Sequence, residues 1–343
     1  MRYLNKRAEL WFFIFAAGIY AVFSVHLYRP YFKFFDGEEY IFALYPFFGA
    51  LGCFFLSRRW IRSFWASVFS GCIYGFGPYL LGLAQYHPTA GMLSACIPWF
   101  FLPASVFSRI RRWWVGVPLT VVPFAAIPVF FRLAGEYRLF PASIQARLEI
   151  SDLTGILAPL VMAKRGITEV NLLGFYHVPI AALVMGFFIL YLSRRIGVVI
   201  ILFVGIIPAF CKSFLDVSPV IWLTIPVLCC SVILGVGLEG LSKAACSDRG
   251  WLLAVTGVMG GLSIVSLLLA SRCFQVFAGL AAGYGRLLVQ TAYMYILGAI
   301  SVLIIFFMAR AKLRMGRLRL IVLCTAMGID IYQGAIFIVG RIF

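Results

Sequence analysis

A lone carboxylate inside an apolar run is the residue of this 343-residue chain that chemistry would use first. Asp330 stands in Met327-Gly-Ile-Asp-Ile-Tyr-Gln-Gly334, near the centre of the last hydrophobic segment. An acid there is costly unless paired or protonated, so it marks function by default. A structural hydrogen bond between helices is the plainer use of the same residue. The last two segments are joined by a short basic turn and so predict an antiparallel hairpin. Counting equal depths at about 1.5 Å per residue sets Tyr295 level with Asp330 and Thr291 one turn above it. With Tyr332 and Gln333, which follow Asp330 along the chain, these residues form a candidate intramembrane polar site. Tyr295 is its expected donor. A buried acid with only a neutral donor is protonated much of the time, as proton coupling requires.

A second candidate is a cluster of helix breakers, Gly75, Gly77, Pro78, Pro98, Pro103, Pro118, Pro123 and Pro128. Each internal proline removes one backbone donor and pushes aside the carbonyl four residues back. Carbonyls freed in this way coordinate cations or polar substrates in transporters with broken helices. Simple kinking and close packing, as at Gly71-x-x-x-Gly75, is the competing use.

Weaker candidates lie towards one membrane face: His26, His87 and His177, with Glu38 and Glu39 on the same side. Histidine with carboxylate can bind a metal or relay protons. No HxxxH or HExxH spacing supports a metal, so scattered interfacial histidines are expected, with no metal and no cofactor. Gly235-Val-Gly237-Leu-Glu-Gly240 is formally a GxGxxG. A dinucleotide loop must follow a strand, however, whereas this motif ends an apolar helix. No paired carboxylates, Ser-His or Cys-His arrangement stands out as catalytic. Eight of the nine cysteines fall in or beside apolar runs without a CxxC, which argues against a disulfide framework or zinc site.

The elements that must position these residues are plain from composition. The chain is 63% hydrophobic and 12% charged, with mean hydropathy +1.01, whereas globular chains carry roughly 25% charged residues. Runs of about 20 apolar residues recur, long enough to cross a hydrocarbon core, and in lipid such runs must be helices. The sequence predicts an all-α polytopic membrane protein of about eleven spans (range 10–12). They are Ala8–Tyr28, Tyr40–Leu56, Phe64–Ala84, Gly91–Phe107, Trp113–Phe131, Leu172–Leu192, Ile196–Phe214, Val220–Leu238, Trp251–Ala270, Leu287–Ala309 and Leu320–Gly340. The first has the basic and apolar regions of a signal peptide without a cleavage site, and reads as an uncleaved span.

The net charge of +17 invites a nucleic-acid reading. The basic residues instead crowd short turns between spans. With the N-terminus inside, inner segments carry 18 Lys and Arg against 3 acids, and outer segments 11 against 8. Six of eight tryptophans flank the inner turns. This is the positive-inside pattern, with the C-terminus outside, and it points to the bilayer of the cell's inner membrane and away from nucleic acid.

Three regions follow: a five-helix half (1–131), an outer connecting segment (132–171) and a six-helix half (172–343). Within the connector, Ser143–Ser151 reads as a surface helix. Leu153–Ala163 is too short to span and reads as interfacial or re-entrant. Fragments RSFWASVFSGCIYGFG and ISDLTGILAP resemble the membrane portion of apolipoprotein N-acyltransferases. Those enzymes carry a Glu-Lys-Cys triad in an outer nitrilase-type domain. The spans that follow leave no room for that domain, so the resemblance carries no catalytic residue over. The expected function is permease-like transport of a small or amphipathic solute, drawn from the breaker cluster and Asp330. Two alternatives remain: an embedded enzyme acting on lipid-linked substrates, and a non-catalytic subunit that binds a membrane-protein partner through GxxxG faces such as Gly257-Gly261.

Overall fold

Apolar runs in lipid must satisfy their own backbone amides, and here they resolve into helix. The computed structural model describes residues 6–33, 41–86, 88–107, 113–136, 176–177, 179–192, 197–211, 214–244, 248–271, 283–311 and 316–342. Among them every named element is an α-helix. In chain order these are α1 Lys6–Tyr28, α2 Ile41–Ser57, α3 Phe64–Gly75, α4 Pro78–Tyr86, α5 Pro88–Phe107, α6 Trp113–Glu136 and α7 Pro179–Leu192. There follow α8 Gly197–Phe210, α9 Pro219–Trp222, α10 Thr224–Ser242, α11 Arg249–Ala270, α12 Gly283–Arg310 and α13 Gly316–Ile342. Between α8 and α9 an isolated antiparallel bridge joins Phe214 to Val217. Leu215 and Asp216 at its tip have φ of 55° and 60°, the left-handed pair a tight type I′ hairpin demands.

Seven helices are long and apolar enough to cross a membrane, or eight if α3 and α4 count as one span bent by 41°. Three further apolar helices, Ile41–Ser57, Ala182–Leu192 and Gly197–Phe210, fall short of that length. Each of the eleven expected segments therefore contains helix, but the structure supports seven to eight crossings by length and composition. The interval 141–163, with its expected surface helix and re-entrant segment, lies outside the described residues.

The bundle is built around α10. Its crossing segment, Pro219–Ser242, is 94% buried within the protein, against 18–22% for the peripheral α1, α6 and α11. Helix α10 packs against α2, α3, α5, α7, α8 and α13. Small residues permit this crowding, as expected where helices associate by close backbone approach. A Cβ on Gly237 would fall 1.7 Å from the Ala182 carbonyl oxygen of α7, and one on Gly235 would fall 2.3 Å from Ile61 Cδ1. The Gly235–Gly240 motif is thus a packing face within a helix. Gly71 and Gly75 serve α3 similarly, beneath Tyr20 and against the α2 backbone.

Buried hydroxyls tie α10 to the first half. Ser70 donates to the Ser231 carbonyl at 2.9 Å, and Thr224 Oγ1 lies 2.9 Å from the Tyr79 hydroxyl and 2.8 Å from Ser94 Oγ. At the basic end, Glu239 accepts from the backbone amides of Arg62 (2.7 Å) and Ser63 (3.4 Å) and pairs with Lys243. Ser63 caps α3 through the Ala66 amide. Glu239 thereby does across the bundle what the glutamate of a capping box does locally.

The breaker cluster divides. Helix α5 runs through Pro98 and Pro103, and α6 through Pro118, Pro123 and Pro128. The chain breaks between Gly75 and Pro78. There a Cβ on Gly77 would meet the Ile73 carbonyl oxygen at 2.2 Å. Pro78, which lacks an N–H, opens the next helix at the position that tolerates it best. A second interruption at Leu223, between α9 and α10, lies outside the predicted cluster.

Candidate functional site

The break between α3 and α4 leaves the Phe76 carbonyl without a helical partner. The Tyr176 hydroxyl donates to it at 2.5 Å. Tyr176 and His177 precede α7, whose first residue is Pro179. Tyr176 is fixed from beneath by Gly334 of α13, where a Cβ would lie 2.1 Å from the tyrosine ring. One turn back along α13 is Asp330, and its Oδ1 lies 3.1 Å from Nδ1 of His177. Both side chains are only 1% exposed. Two adjacent residues therefore close the broken span and hold the buried acid.

Tyr295 of α12 sets its ring edge-on to the His177 imidazole, with centroids 5.2 Å apart. It lies within electrostatic reach of Asp330, as does Tyr176, which in turn senses Tyr28 of α1. Thr291 is fully buried one turn from Tyr295. Neither Thr291 Oγ1 nor His177 Nε2 has a hydrogen-bond partner among the described residues. The arrangement is a carboxylate–imidazole pair in an apolar surround with one ring nitrogen unengaged. Chemically, it can hold or release a proton.

The sequence set Tyr295 as the donor for Asp330, whereas the direct partner that the structure shows is His177. The difference arises because α7 starts at Pro179, beyond the expected start of the span at Leu172. His177 is therefore in a turn that enters the bundle, where the sequence placed it among interfacial residues. Pro179 was the available signal, since proline favours the first position of a helix. The other members of the predicted site separate from the pair. Tyr332 is 38% exposed and its hydroxyl lies 3.0 Å from His26 Nε2, while Gln333 is also exposed. His87, Glu38 and Glu39 lie outside the described residues. Among the described residues no three His, Cys, Asp or Glu side chains gather as a metal site would require.

Long apolar helices around a buried polar pair fit a multi-pass integral membrane protein. Comparison with known proteins adds no narrower class, because no family model, curated protein or solved structure matches the chain.

Proposed function

We propose that this chain is a permease-like protein of the cell's inner membrane that moves a small or amphipathic solute, with His177–Asp330 as its proton-binding element. It threads eleven spans, N-terminus inside and C-terminus outside. The asymmetry of basic residues between alternate turns supports that threading. Residues 132–171 then lie outside as the connector between two membrane halves.

The observation that carries the reading is the buried pair itself. With one proton shared between imidazole and carboxylate the pair is neutral overall. Without it, an acid remains charged in an apolar surround, which is costly. Tyr176 neighbours His177 and holds the Phe76 carbonyl, so proton occupancy and the geometry of the broken span act on one short segment. The titratable groups facing the pair are Tyr176, Tyr295 of α12 and, through Tyr176, Tyr28 of α1. Differential stabilisation of two arrangements by a proton is what coupling requires.

The test is reconstitution into vesicles holding an internal pH dye, with a panel of sugars, amino acids, carboxylates and alkyl phosphates presented under a pH gradient. At least one solute should drive proton movement in the wild type, and Asp330→Asn should abolish it while remaining folded. Solute flux with an unchanged pH profile in Asp330→Asn would overturn the proposal. So would a silent panel from protein that purifies with a stoichiometric membrane partner.

A further inference from the structure

On the basic side of the bundle, α2, α5, α6, α8 and α10 enclose a cavity of about 490 Å³. That is within the range of small-molecule sites, roughly 300–1,000 Å³. Its walls are apolar, with Phe101, Ile201, Leu228 and Val232 among them. Leu228 lies about 21 Å along α10 from the Ser242 end, counted at 1.5 Å per residue, so the cavity reaches towards the middle of the bundle. Arg59 is the only charged residue among its described lining.

The position of Arg59 is built. Arg59 N donates to the Leu56 carbonyl and Trp60 N to the Ser57 carbonyl, at 3.2 and 2.9 Å, so the turn after α2 is tightly wound. The neighbouring Arg58 is used otherwise, donating to the Arg62 carbonyl at 2.9 Å and lying over the Phe12 ring. Glu239, the acid that fastens this turn, is engaged by Lys243 and two backbone amides and does not line the cavity. Gly197, the first residue of α8, completes the wall, and a Cβ built there meets nothing within 4 Å. The positive end of that helix dipole thus adds to the arginine's field.

We propose that this cavity binds a single-chain anionic amphiphile, its acidic headgroup on Arg59 and its alkyl chain along Phe101, Ile201, Leu228 and Val232. Charge complementarity and cavity shape select this occupant. A neutral alkyl compound leaves the arginine without an anion, and a bare anion leaves the apolar depth empty. The inference is separate from the proton-binding pair and does not depend on a solute crossing the membrane.

Monododecyl phosphate is the probe, titrated against the purified full chain in neutral-lipid nanodiscs, with thermal unfolding as the readout. Dodecanol and inorganic phosphate are run at the same concentrations. Dodecyl phosphate should give a saturable rise in melting temperature, and the other two none. Arg59→Gln should weaken binding roughly ten- to a hundredfold, the worth of one charged hydrogen bond, and Arg59→Lys should recover part of it. Gly197→Phe, which places a ring where there is room for one, should block binding without lowering the ligand-free melting temperature. Equal stabilisation by dodecanol, or binding unchanged in both Arg59→Gln and Gly197→Phe, would overturn the proposal. A shift reproduced by inorganic phosphate alone would instead define a free-anion site and also overturn it.

Discussion

Truncating His177 to alanine removes the partner of a carboxylate that is 1% exposed. At the observed 3.1 Å, Coulomb's law with an effective dielectric constant of 20 gives an attraction of about 5 kcal/mol. Desolvation of both groups offsets much of that in the intact protein, so the pair adds little net stability. Once one member is gone, the desolvation of the other is uncompensated, and the expected loss for breaking such a pair is about 3–5 kcal/mol. The double variant His177→Leu/Asp330→Leu removes both charges and fills the space with apolar atoms. It should be more stable than His177→Ala alone. Asp330→Asn keeps the hydrogen-bonding shape and should fold. The assay is thermal or denaturant unfolding of the four proteins in one neutral detergent, read as a double-mutant cycle. If His177→Ala melts with the wild type, and the double variant equals the sum of its parts, the two residues are not energetically coupled and the reasoning fails.

Two further predictions concern packing and threading. Gly237→Ala should destabilise strongly, because its Cβ would fall 1.7 Å from a backbone oxygen that cannot step aside. Gly334→Ala should cost about 1–3 kcal/mol by displacing Tyr176, whereas Gly257→Ala, with nothing within 4 Å, should be neutral or mildly stabilising; comparative melting of the three variants checks this. In an otherwise cysteine-free chain, single cysteines at Lys33 and Gln145 should react with an impermeant thiol reagent in intact cells, and one at Lys243 should not. Labelling at Lys243 with protection at Gln145 would reverse the orientation.

Much of the fold was legible because lipid leaves a chain few choices. Long apolar runs bounded by basic turns become helices, and each expected segment contains one. Their lengths were less legible. Hydropathy does not distinguish Leu172, where an apolar run begins, from Pro179, where helix begins. The prolines show the same limit from the other side. A missing N–H marks where a helix is able to break, but α5 and α6 continue through theirs while α3 ends at Gly75. What decides is whether neighbouring chain supports the freed backbone groups, as Tyr176 does for Phe76. Asp330 stood out because an acid in an apolar run is conspicuous alone. His177, 153 positions away in sequence, did not, because only the turn before α7 brings it inward. The periodicity that aligned Tyr295 with Asp330 was local to one hairpin, and a partner from outside that hairpin is invisible to such a count.

Whether the pair exchanges a proton can be read without knowing the solute. Infrared difference spectra of the reconstituted protein, recorded between mildly acid and mildly alkaline pH, report protonated carboxyl and imidazolium groups directly. The wild type should show a pH-dependent band from one of these that disappears in Asp330→Asn and changes in His177→Gln. Difference spectra of wild type and Asp330→Asn that superimpose across the whole range would show that the pair holds its protons fixed and serves the fold alone.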